Sequence, residues 1–144
     1  MKALIVRINK GSVIADSAPG ASIGRGLAVF LGIVKSDTDH DAARLAEKIA
    51  HMRIFENESK KLDCSVKDKG YQVLCISNFT LCAKSNKGRR PSFEEAMPKE
   101  EARERFENFV LLLRGQGLSV STGIYGAHMD IALDLDGPVN IVVE

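Results

Sequence analysis

The residues best suited to chemistry close an apolar run: Ser77-Asn78-Phe79-Thr80-Leu81 ends a stretch, 71–82, rich in Val, Leu, Ile and Cys and free of breakers. Such a run reads as a strand buried on both faces, and polar residues at the end of a buried strand are where sites form. The next segment, 84–93, carries Lys84, Lys87, Arg89 and Arg90 without an acidic residue, with Gly88 and Pro91 as loop formers. Alone it is a solvated loop; beside a site it offers phosphate contacts. Near the C-terminus stands Asp136-Gly137-Pro138. Glycine there lets a ligand approach the backbone, and proline can adopt a cis peptide that sets carbonyl directions. The same triplet also suits a hairpin turn between two strands.

Conventional templates fail on spacing. There is no Gly-x-Ser-x-Gly elbow, and His40, His51 and His128 stand apart with no His-Glu-x-x-His, so neither a serine hydrolase nor a metal hydrolase is patterned here. Cys64, Cys75 and Cys82 are odd in number and form no Cys-x-x-Cys pair, which fits reduced thiols in the cytosol rather than disulfides or a zinc site. Cys82 activated by His128 remains a formal nucleophile, although a buried free cysteine is a common core residue. What is left is a site with no conventional nucleophile, base or metal. It can still act by holding a substrate and stabilising developing charge with backbone N–H groups, the substrate bringing its own hydroxyl.

The elements that must position these residues follow from periodicity. Residues 2–9 alternate, with Leu4, Val6 and Ile8 on one strand face and Ala3, Ile5 and Arg7 on the other, as a two-residue period requires. Arg7 on that apolar face is either a strand-end arginine snorkelling to solvent or a buried ion pair and site anchor. A second strand is expected over 12–16, then a turn at Ser17, Pro19 and Gly20, then a long strand through Val34. Gly24-x-Gly26 lacks the third glycine and the helix of a phosphate loop and is read as turn glycine. Asp37 or Thr38 caps a helix from near Asp39, with Ala42, Leu45, Ala46, Ile49 and Met52 on one stripe, running out near Arg53-Ile54-Phe55. Residues 56–70 read as loop with one short strand. Pro98 opens a second helix striped by Ala102, Phe106, Phe109, Val110 and Leu113, ended by Gly115 and Gly117. Three extended segments, 118–124, 128–134 and 139–143, finish the chain. The expected fold class is mixed α/β, with mostly antiparallel sheets layered against two helices on one side.

Composition bounds the function. The chain of 144 residues has 20 Lys plus Arg against 19 Asp plus Glu, a net charge of +1, so any nucleic-acid site must be local. Hydrophobic residues at 44% and charged residues at 27% exclude disordered, collagenous and disulfide-stapled classes. The apolar stretch 27–34 is interrupted by Gly32 and is far shorter than the ~20 residues of a spanning helix. Arg7, Asn9 and Lys10 follow the start before any signal-peptide core develops. One cytosolic domain over 1–144 is the expectation.

The ordered blocks along the chain carry a family likeness: Arg7 in the first strand, Arg53-Ile54-Phe55, residues 77–81, Gly88-Arg89-Arg90-Pro91-Ser92-Phe93, Thr122-Gly123-Ile124-Tyr125-Gly126-Ala127-His128-Met129, and Asp136-Gly137-Pro138-Val139-Asn140. On these the protein resembles the D-aminoacyl-tRNA deacylases over essentially its whole length. The resemblance implies a three-layer α/β/β deacylase-like fold and a homodimer with sites at the subunit interface. It also implies hydrolysis of the ester joining a D-amino acid to the terminal adenosine of tRNA, with no metal or cofactor. Carried over, Ser77, Asn78, Phe79 and Thr80 form the catalytic pocket. Gly137 and Pro138 of the partner subunit check chirality through main-chain carbonyls, and Met129, Lys84, Arg89 and Arg90 contact substrate. Arg7 fixes the Gly-Pro loop, across or near the interface. A ribose 2′-hydroxyl then assists water attack while N–H groups near Phe79 and Thr80 receive the oxyanion; Thr80 as nucleophile ranks second, for want of a base. Achiral glycine passes the same chirality test, so glycyl-tRNA stands as an additional candidate substrate.

Two departures from the family pattern are Asn78 in place of glutamine and Asn140 in place of threonine. The first shifts the side-chain amide by about a bond length, so that a direct hydrogen bond becomes water-mediated; the second bears on how the Gly-Pro turn is held. They motivate rival readings: a tRNA-binding homologue without turnover, or a branch with altered aminoacyl-tRNA specificity. A third rival is a Cys82 hydrolase of small esters.

Overall fold

The computed structural model describes every residue except 16, 17, 86 and 87, and the side chains of all described residues except 18 and 19. Asp16 and Ser17 of the expected second strand and turn, and Lys87 of the basic run, lie outside the described residues.

One long strand organises the sheet. β1 (Lys2–Ala15) pairs antiparallel with β3 (Gly26–Gly32) along its first half and with β2 (Ala18–Ile23) along its second. On its other edge it pairs antiparallel with β8 (Met129–Val143) from Ala3 to Ala15. β3 continues in parallel to β6 (Gln72–Ser77), and β6 in parallel to β7 (Ser119–Thr122). The expected break between strands 2–9 and 12–16 is therefore corrected. Lys10 and Gly11 remain in the strand because they pair with Asp134 and Leu133 of β8, long-range pairing that the local residues do not show.

Alternation along β1, β3 and β6 sorts side chains onto two cores. Ala3, Ile5, Leu27, Val29, Leu31, Val73 and Cys75 face the helices; Val6, Ile8, Ala28, Leu74 and Ile76 face the other way, against Val13, Ile23, Met129 and Leu133. Both helices, α1 (Asp39–His51) and α2 (Lys99–Gly115), pack on the first face, as the mixed α/β reading required. Thr38 caps α1 in a full capping box with Asp41, which satisfies two otherwise unpaired donors. Its stripe buries Ala42, Leu45, Ala46 and Ile49 against Phe109 and Leu113 of α2. Each large side chain so buried contributes roughly 1.5–3 kcal/mol. The segment after α1 holds two short antiparallel strands rather than one, β4 (Phe55–Glu56) and β5 (Leu62–Cys64).

Three local expectations change. The strand expected over 71–82 stops at Ser77, and Phe79–Cys82 is a 3-10 helix. Pro98 precedes α2 as its N-cap, and Gly115 is the last helical residue, with Gly117 beyond it at φ +86. Asp136-Gly137-Pro138 is not a hairpin turn, because residues 129–135 and 140–143 pair with the same edge of β1 in the same direction.

Candidate active site

The site begins where β6 leaves the sheet. Ser77 is still paired with Leu31, and the Asn78 N–H donates to the Leu31 carbonyl at 2.8 Å. Beyond that bond the chain turns. The Asn78 side-chain oxygen accepts from the Thr80 N–H at 3.2 Å and also from the Thr80 hydroxyl, capping the 3-10 helix. Asparagine suits this role because its short amide folds back onto the N–H two residues on. The helix rests directly on β3 at Gly32, where an added Cβ would lie 2.9 Å from the Cys82 sulfur and 3.0 Å from Leu81 Cβ. Glycine at 32 is thus what lets the helix seat.

The cap also sorts the donors. Thr80 N–H is committed to Asn78, whereas Phe79 N–H, the first of the helix, finds no acceptor among the described residues. An unpaired N–H at a helix start is an anion-facing donor. Thr80 Oγ donates to an amide oxygen, which is not a proton acceptor for catalysis, so the geometry gives Thr80 no activating base.

Beside this helix lies a cavity of about 670 Å³. Ser77, Asn78, Phe79, Thr80 and Met129 all line it, so five of the residues singled out in sequence are brought together. Lys99, Tyr125, Gly126, Ala127 and His128 line it as well. The stretch 122–129 drew attention as a block, but Lys99 gave no signal, since it reads as the wet face of α2. The Tyr125 hydroxyl donates to the Lys99 carbonyl at 2.8 Å, and burial, with the Glu100 carboxylate, pushes its pKa up. At the rim Phe79 is 62% exposed and its ring meets that of Phe93, centroids 5.2 Å apart. Phe93 ends the basic loop, which therefore stands next to the cavity. Lys84 and Ser92 close the loop through two backbone bonds of 2.9 Å, and Lys84 is ion-paired with Glu95. Arg89 and Arg90 are exposed.

Arg7, Gly137 and Pro138 form a separate cluster and do not line this cavity. Val6 pairs with Asn140 and Ile8 with Leu135, so residues 136–139 bulge out of β8 opposite Arg7 alone. The Gly137-Pro138 peptide is cis and Gly137 has φ +139, a region L side chains rarely adopt. Arg7 is 6% exposed, which replaces the snorkelling alternative with the anchor. Its Nε donates to the Asp136 carbonyl at 3.1 Å and its Nη1 to the Ile54 carbonyl at 2.7 Å, all within one chain.

The thiols are placed for packing. Cys82 donates to the Ile33 carbonyl at 3.4 Å, and burial pushes its thiol up; Cys75 is fully enclosed and pushed up to about 12. Among the described residues no three His, Cys, Asp or Glu side chains stand together, and no helix is long and apolar enough to cross a membrane.

The family described as D-Tyr-tRNA(Tyr) deacylase matches residues 4–144. The D-aminoacyl-tRNA deacylase of Heliobacterium modesticaldum is 47% identical over 144 residues, covering 100% of this chain and 96% of its own. That of Thermotoga petrophila is 44% identical, covering 100% and 97%. Among solved structures, one titled c-Myc DNA Unwinding Element Binding Protein superposes with a TM-score of 0.93 at 39% identity, covering 100% of this chain and 98% of that one. A probable eukaryotic D-amino acid tRNA deacylase superposes at 0.84 with 15% identity, covering 99% and 97%, a likeness of fold.

Proposed function

The chain belongs to the D-aminoacyl-tRNA deacylase family, enzymes that hydrolyse the ester between a D-amino acid and tRNA, and on that premise we propose how its own residues divide the work. The cavity beside residues 77–80 takes the terminal adenosine and the ester. The Phe79 N–H faces the ester carbonyl and stabilises the oxyanion, a role in which one well-placed donor is worth about 2.7–4 kcal/mol in other acyl-transfer enzymes. The ribose 2′-hydroxyl of the substrate orients the attacking water. Ser77 and Met129 shape the pocket, while Asn78 and Thr80 hold the helix that presents Phe79. The carrying observation is the unpaired Phe79 N–H at the mouth of a cavity whose neighbouring Thr80 N–H is already engaged.

Gly137 and Pro138 read chirality in the cavity of a partner subunit. Their exposure and their absence from the cavity of their own chain support this, as do the exposed apolar residues of β8, Leu135 at 50% and Val142 at 61%. An edge strand of that kind invites a second copy. Arg89 and Arg90 contact acceptor-end phosphates, giving salt-dependent affinity. Two cores sharing β1, β3 and β6 support one domain over 1–144, working in the cytoplasm without a resident cofactor. Glycyl-tRNA is included as substrate, since a main-chain reader ignores an absent side chain.

The test is hydrolysis of matched D-tyrosyl-tRNA and L-tyrosyl-tRNA, with light scattering to give the oligomeric mass. Release from the D ester alone by a dimer is expected. Equal release from both esters, or full activity as a monomer, overturns the Gly-Pro reading.

A further inference from the structure

Arg7 is not the only guanidinium that reaches Asp136. Arg25 sits in the gap between β2 and β3, where its carbonyl accepts from Gln72 N–H at 3.2 Å and the neighbouring Gly24 N–H donates to Gln72 Oε1 at 2.9 Å. That double tie aims its side chain at the Gly-Pro bulge. Its Nη2 lies 3.3 Å from Asp136 Oδ2, while Arg7 Nε stands 3.4 Å from the same oxygen and Arg7 Nη2 3.5 Å from Oδ1. Each arginine lies over an aromatic ring, Arg7 over Phe55 at 5.9 Å and Arg25 over Tyr71 at 5.7 Å, and those two rings meet edge to face at 5.2 Å. Two arginines on a rigid aromatic pair thus converge on the carboxylate that precedes Gly137. Guanidinium forks on ring faces are preorganised, so holding them costs less side-chain freedom than holding free lysines.

We infer that Arg25 is a positioning residue for chiral discrimination: with Arg7 it clamps Asp136 and so holds the Gly137 and Pro138 carbonyls in register for a D-aminoacyl ester. The inference rests on the Gly-Pro reading given above. Arg7 supplies the buried half of the clamp, bound to the backbone as well as the carboxylate. Arg25 is the adjustable half, since its side chain is 55% exposed and open to screening by salt. Arg25 does not line the cavity, so its effect falls on selectivity through the loop.

The experiment is single-turnover hydrolysis of D-tyrosyl-tRNA and L-tyrosyl-tRNA by the full-length protein, read as the D-to-L ratio of rates, which cancels shared losses in tRNA affinity. Arg25→Ala is expected to lower the ratio about tenfold, Arg25→Lys to restore part of it, and Pro138→Ala to lower it further. Raising NaCl in the parent should reproduce the Arg25→Ala ratio while leaving that variant's ratio unchanged. This salt series also serves if the variant fails to fold. A parental ratio in Arg25→Ala and at high salt, with a reduced ratio in Pro138→Ala, overturns the role of Arg25 and leaves the Gly-Pro reading standing. A parental ratio in Pro138→Ala overturns the Gly-Pro reading itself, and the clamp with it.

Discussion

The Arg7 Nε–H donates to the carbonyl oxygen of Asp136 across 129 residues of chain, at 3.1 Å, in a part-buried setting at the base of the Gly-Pro bulge. A bulge of four residues facing one strand position has lost its ladder bonds, and this contact replaces one of them. The same guanidinium also donates to the Ile54 carbonyl, so it joins the segment between α1 and β4 to the bulge.

Arg7→Ala should therefore cost stability and selectivity together. Hydrogen bonds from a charged donor are worth roughly 1.5–3 kcal/mol each, so a lowered urea midpoint is expected along with a rate on D-tyrosyl-tRNA at least tenfold below the parent. Arg7→Lys should recover little, because one ammonium lacks the planar fork that reaches both carbonyls. A parental rate and melting temperature in Arg7→Ala would remove the anchor role.

At position 78, capping ability should decide activity. Asp retains an oxygen at the right reach, Gln places it one methylene too far, and Ala has none. Asn78→Ala and Asn78→Gln should each lose about 1 kcal/mol of local stability, near fivefold in the equilibrium constant between seated and unseated helix, with a fall in kcat of up to that factor. Asn78→Asp should stay closer to the parent. A Gln variant faster than the parent would show that the amide acts on substrate and not as a cap.

Thiol chemistry should leave turnover intact. Cys75 is pushed up to about 12 and Cys82 is raised by burial, so neither supplies a thiolate near neutral pH. Half-buried Cys64 is the thiol open to iodoacetamide. Mass spectrometry should find a single adduct with deacylation unchanged; inactivation in step with Cys82 labelling would restore the cysteine nucleophile.

Acid should weaken the fold from about pH 4 downward. Hydrogen bonds from Thr38 hold the Asp41 carboxyl below its ordinary value, those from Ser65 do the same for Asp68, and Lys2 lowers Glu144. A pKa lower in the folded state than in the unfolded one gives stability that is present above the unfolded value and lost as pH falls through the folded value. The urea midpoint should be lower at pH 3 than at pH 6, and Asp41→Asn with Asp68→Asn should narrow that difference. An unchanged difference would assign the acid sensitivity elsewhere.

What the sequence by itself determined is what depends on neighbours within a few residues. The capping box at Thr38 and Asp41, the stripe from Ala42 to Ile49, the alternation around Arg7 and the polar end of the 71–82 run are all local patterns, so α1, the first half of β1 and the polar cluster at 77–80, though not its 3-10 conformation, were legible before any fold was known. Tertiary structure decided the rest. The patterns at 2–9 and 12–16 read as two strands, yet pairing of Lys10 and Gly11 with β8 joins them into one β1. Gly137-Pro138 looks like a hairpin, yet both flanking segments pair with β1 and leave a bulge. Lys99 joins the cavity, and Arg25 meets Asp136 across 111 residues of chain. Strand register and the meeting of distant side chains are set by long-range pairing and burial, which no short window of residues contains.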